Sequence, residues 1–528
     1  MSEGSLMPQS PYSRRELLRG GVLLGGALLA SPLLAACSGD AGSSPTGPSR
    51  RGGTLRAALV GTGANENLNP FTGATVLDFV RARAVHGTLG VIDPDAPEDV
   101  RYGVLAGIDV DDDRSRYSLR VRGDARFTDG SPVTARDVLY SLKFVVRSTP
   151  SYAGYTADFD LDAARVDGQK TLVVPTKRPV SDGHLMLCQG IVFVFKDGTR
   201  RFTPDTPSCG AFRIEEFDPG EGTLLRRNDD YVGGTGGPYL DAVELRSIVA
   251  DDARANALRG GQVDFVHDLA PAHARTVEAD DQFTVVESRP PDVSGLGVLL
   301  NMSRPPFDDV RVRQACKLAL DRKAILNTAL LGRGIVGNDL FAPGYPDSPT
   351  AIPQRPHDPD RASRLLRAAG ASGAKVTLTT APESAGLVRT CTQIAEQLSA
   401  LGLPVTIDER PAGGLYADYD AYARLQMAAT YSTAMPPLQY YEVSRAGKNP
   451  FSLGWSRSDV DRRISHTRTL TGQRRHQAST AVHRVLWEED NVLLPVFKPV
   501  LNGQVANLRG VADGLFLQFP SFVEASLQ

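Results

Sequence analysis

From residue 53 onward, short apolar runs of period two interleave with amphipathic stretches of period 3.6. No unit of roughly 20–50 residues repeats, which excludes a solenoid or a propeller. The pattern leaves a mixed α/β body. Residues 54–60 read as a strand followed by a polar turn at 63–69. Residues 109–122 alternate as a hairpin around the acidic turn Asp111-Asp112-Asp113. A helix is expected over 134–146, opening at Thr134. The spacing predicts one long helix over 310–331: Val312, Ala315, Cys316, Ala319 and Leu320 make its apolar stripe, and Arg311, Arg313 and Lys317 point away. Further helices are expected at 389–401 and 474–489, and buried strands at 405–408 and 493–497. At 528 residues the chain has length for three or four units of roughly 150 residues each. Apolar residues make up 41% and the net charge is only −3, which excludes disorder as the main state. Lys+Arg 58 against Asp+Glu 61 gives no basic excess for a nucleic-acid partner.

Residues 1–36 are set apart from the fold. Ser13-Arg14-Arg15-Glu16-Leu17-Leu18 precedes an apolar run over 20–35, and Leu34-Ala35-Ala36-Cys37 closes it. Sixteen residues at ~1.5 Å each reach about 24 Å, short of a ~30 Å hydrocarbon core. The combination resembles a twin-arginine export signal joined to a bacterial lipobox. That resemblance implies export directed by Arg14 and Arg15. It also implies a diacylglyceryl group on Cys37, which would hold the protein to the extracytoplasmic face of the cell membrane. Residues 37–52, rich in Ser, Gly and Pro, read as a flexible tether.

Four cysteines follow Cys37. In an oxidising compartment an even number often pairs. Cys188 and Cys209 lie in loop-like surroundings and are expected to form a disulfide, which would stabilise by about 3 kcal/mol. Cys316 and Cys391 sit in helical patterns and are expected as buried free thiols. No CxxC occurs.

Several segments, in order, carry a family resemblance. They are Gly53-Thr54-Leu55-Arg56 with Leu68-Asn69-Pro70; Phe127-Thr128-Asp129-Gly130-Ser131-Pro132-Val133-Thr134-Ala135-Arg136-Asp137-Val138; Cys209-Gly210-Ala211-Phe212 through Asn228-Asp229-Asp230-Tyr231; Pro306-Phe307-Asp308-Asp309-Val310-Arg311 closing on Asp321-Arg322; and Leu493-Leu494-Pro495-Val496-Phe497. Over nearly all of 53–528 the chain resembles the large peptide/nickel class of ABC-importer solute-binding proteins, extracytoplasmic family 5. Each matched residue also has a local structural reason, such as the Asp129-Gly130 turn and the Thr134/Asp137 helix start, so these positions mark the scaffold.

The resemblance implies an α/β, two-lobe periplasmic-binding-protein-like fold of type II, of the large class with an extra subdomain. Lobe I would comprise 53–87, 208–288 and 496–528, the inserted subdomain 88–207, and lobe II 289–495. A small solute would be enclosed between the lobes, and a membrane permease would recognise the closed form. The protein would act as a monomer, without enzyme activity, metal or cofactor. In the family the loop after the first strand approaches the cleft, which makes Thr72 and Gly73 candidates for ligand contact.

Six of the 15 tyrosines lie between 416 and 441. Tyr416, Tyr419 and Tyr422 have helical spacing and read as packing. Tyr431, Tyr440 and Tyr441, in a loop-like stretch, are cleft candidates, joined by Trp455. Oligopeptide binders carry a Trp-x-Ala-Asp-Tyr-like motif whose carboxylate meets the peptide ammonium. Here Thr430 stands where that aspartate would be. Unless Asp418 or Asp420 substitutes, a neutral, acidic or chelated ligand or a modified peptide is favoured over ordinary peptides.

Gly332-Arg333-Gly334-Ile335-Val336-Gly337 matches GxGxxG but follows a helix, so dinucleotide binding is set aside. The eight histidines are dispersed without metal-ligand spacing. Two alternatives to a transport receptor are a secreted hydrolase on the same scaffold, disfavoured by the lack of a nucleophile motif, and a sensor lipoprotein no longer serving transport.

Overall fold

The computed structural model describes residues 50–73, 75–148, 154–233, 236–411, 413–445, 450–511 and 519–528. The expected signal segment, Arg14, Arg15 and Cys37 lie outside these residues. Among the described residues no helix is long and apolar enough to cross a membrane.

Three larger sheets organise the described residues, beside two small two-stranded ones. Thr54–Leu59 runs at the centre of a seven-stranded sheet, parallel to Ala242–Ser247 on one side and Phe265–Val266 on the other. Leu501–Val505 joins it beyond Phe265–Val266, and Phe212–Asp218 with Gly222–Arg227 closes the far edge. A six-stranded mixed sheet is centred on Val293–Leu300, which lies antiparallel to both Met427–Ser432 and Val492–Pro499. Every residue of Val293–Leu300 and Val492–Pro499 is buried, so these strands are covered on both faces. The third sheet, four antiparallel strands, contains the expected hairpin as Leu105–Val110 and Arg116–Val121. Asp111 holds the turn, its Oδ1 accepting from the Ser115 and Arg116 amides. The helix Ala135–Ser148 buries Val138, Leu142 and Val145, and Asp137 accepts from both the amide (2.7 Å) and the hydroxyl (2.6 Å) of Thr134 at its start.

The chain passes between the seven- and six-stranded sheets twice, at 288–292 and at Val500. The two crossings are tied together. The Ser288 amide donates to the Val500 carbonyl (3.1 Å), and the Val500 amide donates to Ser288 Oγ (2.9 Å).

The single helix expected over 310–331 is two helices, Val310–Ala319 and Arg322–Leu330. Leu320 is extended, and Asp321 caps the second helix by accepting from the Ala324 amide at 2.9 Å. The apolar stripe is buried as expected, but Arg313 and Lys317 do not face solvent. Arg313 donates to the carbonyls of Glu489 and Phe307, and Lys317 Nζ donates to that of Trp487 at 3.0 Å. These cations meet the open carbonyls at the end of the helix Gly472–Glu489, where the helix dipole is negative. Periodicity marks them as polar, but only the docked partner helix shows why they are inside.

The Cys188–Cys209 disulfide is not formed; both are buried free thiols. Cys209 Sγ donates to the His86 carbonyl at 2.9 Å, while Cys188 packs against Gly90. Each sulfur thus has its own place in the core, and burial pushes both thiols well above their ordinary pKa. Cys316 and Cys391 are buried free thiols too, as expected, and burial raises each to about 12. All four should alkylate in denaturant without reductant and resist alkylation in the native protein. Mass spectrometry checks this, and an unmodified 188/209 pair in denaturant would contradict it.

Candidate functional site

The stretch holding most of the cleft candidates is regular rather than loop-like. Tyr431 lies on the strand Met427–Ser432, and Tyr440 and Tyr441 on the helix Pro437–Arg445. The helix starts at Pro437, just after Pro436, where proline suits a first turn. It lies at the seam between the two large sheets. Tyr440 packs on the cores of both. Met435, just before it, belongs to the core of the seven-stranded sheet, and Val443 packs against that core as well. Tyr440 stands 4.3 Å, ring to ring, from Phe341. Tyr441 is wholly buried behind it, against Phe341 and His483. Gln439 is 0% exposed, and neither its Oε1 nor its Nε2 has a hydrogen-bond partner. A buried amide left so costs a few kcal/mol in general.

The other candidates do not gather on one surface. Thr72 is exposed on the short helix Pro70–Gly73, which Gly73 closes, and Phe71 beside it is buried against Phe144 and Phe193. Thr430 is buried on a central strand opposite Gly297, with its hydroxyl against that of Tyr422. Trp455 donates from Nε1 to Asp461 at 2.8 Å. Tyr416 stacks loosely with Tyr422, Tyr431 and Phe451 at 5.3–6.0 Å.

Asp418 caps the helix Tyr419–Ala423 and, like Asp420, is exposed, so neither is a buried counter-charge. A carboxylate that periodicity did not single out stands closer. Glu383, in the loop after Val376–Thr380, accepts from the Gly413 and Leu415 amides at 3.2 and 3.1 Å. Burial, reinforced by the Glu383 charge, pushes Tyr431 up to about 12.

A buried ion network ties the region of the four-stranded sheet to the segments around the seam. Arg468, 2% exposed, is bound by Asp158 (2.7 Å), Asp182 (2.7 Å) and Glu442. Arg475 reaches Asp182 at 2.7 Å and also pairs with Asp347, and Arg178 joins Asp158 (2.8 Å) to Glu442 (2.6 Å). Burial would raise the Asp182 pKa, but Arg468 and Arg475 hold it down at about 2.

A body of two large sheets, linked by paired crossings and enclosing aromatic and amide side chains at the seam, defines a two-lobe binding protein of the periplasmic type. The comparisons agree. The chain's residues 99–449 match the family described as bacterial extracellular solute-binding proteins, family 5 Middle, and the chain belongs to that family. It is a solute-binding protein of the ABC-transporter type rather than an enzyme. Among curated relatives, it is 21% identical over 369 residues to the glutathione-binding protein GsiB of Salmonella choleraesuis (strain SC-B67), covering 69% of this chain and 71% of that one. The fold matches the Helicobacter pylori periplasmic binding protein DppA in complex with the peptide STSA (TM-score 0.76, 16% identity, 90% and 98% of the two chains). It also matches Brucella suis NikA in complex with Fe(III)-EDTA (TM-score 0.75, 19% identity, 90% and 100%).

Replacing Arg468 by Met removes the cation that three carboxylates share, leaving Asp158 and Glu442 to Arg178 and Asp182 to Arg475, and should cost about 3–5 kcal/mol, read as a lower thermal midpoint. The wild-type pH profile has a definite sign. The Asp182 carboxyl is depressed in the fold, so its contribution is complete above the ordinary carboxylate range and is lost as pH falls towards about 2. The fall in thermal midpoint below pH 4 should be shallower in Asp182→Asn; equal slopes would contradict the assignment.

Proposed function

We propose that the protein is the lipid-anchored receptor of an ABC importer, capturing a peptide-like or chelated small solute between its lobes and presenting it to the permease. The observation carrying this is the seam helix Pro437–Arg445, which places Tyr440 on both cores and leaves the buried amide of Gln439 without a partner. The ligands named for the related proteins, glutathione, a tetrapeptide and a metal chelate, support the solute class. The lobe division given above (53–87, 208–288 and 496–528; 88–207; 289–495) is supported by the origin of the strands in each sheet, except that residues 496–499 continue the strand Val492–Pro499 of the six-stranded sheet. Tyr440, Tyr431 and Glu383 are the side chains we assign to the ligand, with Thr72, Gly73 and Trp455 at the margin and Tyr441 and Thr430 behind them. Glu383 reopens the place of a counter-charge for an ammonium group, which Thr430 leaves vacant.

Closure requires a ligand that touches both lobes, so binding should contract the molecule. Titration calorimetry and small-angle scattering with glutathione, Ser-Thr-Ser-Ala, Fe(III)-EDTA and an extract of the native growth medium test this. Binding of at least one, with a smaller radius of gyration and about 10-fold or greater weakening in Tyr440→Ala, is expected. No binding from any source would overturn the reading. For the anchor, Cys37→Ala should abolish incorporation of a labelled fatty acid and release the protein from membranes; unchanged labelling would exclude Cys37.

A further inference from the structure

The region of the four-stranded sheet is attached to each half of the molecule, and the two attachments differ in kind. Towards the seven-stranded sheet the attachment is apolar. Residues 191–195 alternate: Val192 and Val194 enter the core of the four-stranded sheet, while Ile191, Phe193 and Phe195 enter that of the seven-stranded sheet. The Phe193 ring stands 5.9 Å from that of Phe71 and 6.1 Å from that of Phe79. Such a contact cannot part without exposing large rings, so the four-stranded sheet belongs to the seven-stranded half.

Towards the six-stranded half, charges and hydrogen bonds make the attachment. On one side stand Asp158, Arg178, Ser181 and Asp182, around the end of the strand Thr171–Pro175. Tyr117 holds this segment to its own sheet: its hydroxyl donates to the Val180 carbonyl (2.5 Å) and accepts from the Gly183 amide (3.1 Å). Across from them stand Glu442 and the turn between the helices Ser458–Thr467 and Gly472–Glu489. Those two helices place Val460, Ile464, Val482 and Leu486 in the six-stranded core. The Ser181 amide donates to the Arg468 carbonyl at 2.9 Å, and the Ser181 hydroxyl lies 2.8 Å from the carbonyls of Arg468 and Leu470. Arg178 donates to the Ser465 carbonyl at 3.2 Å as well as to Glu442. Arg468 lies side-on to Asp182, with Nε 3.1 Å and Nη2 2.7 Å from Oδ1.

An interface of this kind differs from an apolar core in what separation costs. Parted, its ions and carbonyls return to water, and the hydration they regain offsets much of the Coulombic attraction they lose. Together, the fixed fork of a guanidinium accepts few geometries. We propose that this interface is a clasp between the halves, made when they come together over a solute and parted when they separate, and that it sets the end point of closure. The clasp contains none of the side chains assigned to the ligand. Its influence therefore falls on the fraction of molecules in the closed arrangement, which scales the apparent affinity for every solute by one factor. The clasp rests on the closing motion of the solute-binding reading and adds to it the contact that ends the motion.

Arg178 and Ser181 are the members to change, since each can be lost while Arg468 keeps its three carboxylates. Arg120→Gln, which loses the exposed pair with Asp109 inside the four-stranded sheet, is the control and should match wild type. In Arg178→Gln, Ser181→Ala and the double variant, small-angle scattering without ligand should show a larger radius of gyration than wild type. For glutathione, Ser-Thr-Ser-Ala and Fe(III)-EDTA, calorimetry should show affinities that fall by one common factor for each probe that wild type binds. That factor should be about 3- to 10-fold in the single variants and larger in the double. Hydrogen exchange tests wild type without substitution. The Ser181 amide, bonded across the clasp, should exchange faster than the Lys177 amide, which donates to the Asp158 carbonyl within the same half at 2.8 Å, and a bound probe should slow Ser181 more than Lys177. An unchanged radius in the double variant, affinity lost for one probe and kept for another, or equal exchange at Ser181 and Lys177 overturns the clasp. If wild type binds no probe, the solute-binding reading is what fails, and the scattering and exchange comparisons still decide the clasp.

Discussion

The arrangement of the chain depends on how one cation is accommodated. Arg468 is buried, and a guanidinium cannot remain so without anions. Asp158 and Asp182 come from more than 280 residues earlier, and Glu442 comes from the seam helix. Satisfying Arg468 therefore requires the region of the four-stranded sheet to sit against the segment 437–475. Arg475 extends the same demand to Asp347, and Arg178 repeats the link between Asp158 and Glu442. Such an assembly adds little net stability over an apolar core, but it tolerates few alternatives. It fixes where the seam helix stands.

On the proposed function, the seam helix couples closure to recognition. Tyr440 touches both cores, so any separation of the halves exposes its ring. Gln439, one residue earlier, has an amide that no described residue satisfies. On that reading, neighbouring positions on one turn would divide the work of holding the halves and of reading what lies between them.

Much of this was legible in the sequence, for definite physical reasons. The hairpin, the first helix of the small sheet and the buried strand at 493–497 depend on local periodicity and turn chemistry; 405–408 is a strand too, but it lies at a sheet edge with none of its residues buried. The apolar stripe of Val312, Ala315, Cys316, Ala319 and Leu320 was visible for the same reason. What failed was nonlocal. Arg313 and Lys317 are inside because a helix more than 150 residues later presents its carbonyls to them. Asp321 looked like part of a continuing helix, yet it begins a new one. Cys188 and Cys209 were paired by compartment and count, although their separate neighbours in the core decide the matter. The tyrosine cluster reads as loop-like at 431–441, whereas Tyr431 lies on a strand and Tyr440 and Tyr441 on a helix. Glu383 and Gln439 stand in unrelated stretches, and only the fold shows that Glu383 meets the Gly413 and Leu415 amides and that Gln439 is buried.

The reciprocal bonds between Ser288 and Val500 have a mechanical consequence. Two connectors that moved freely would let the halves slide, twist and tilt. Stitched to each other, they behave as a single torsion bar, and relative motion is confined largely to one angle. The stiffness of that bar then sets how much of a guest's contact energy is consumed in bending it. A residue that never meets the guest could in this way tune how tightly it is held.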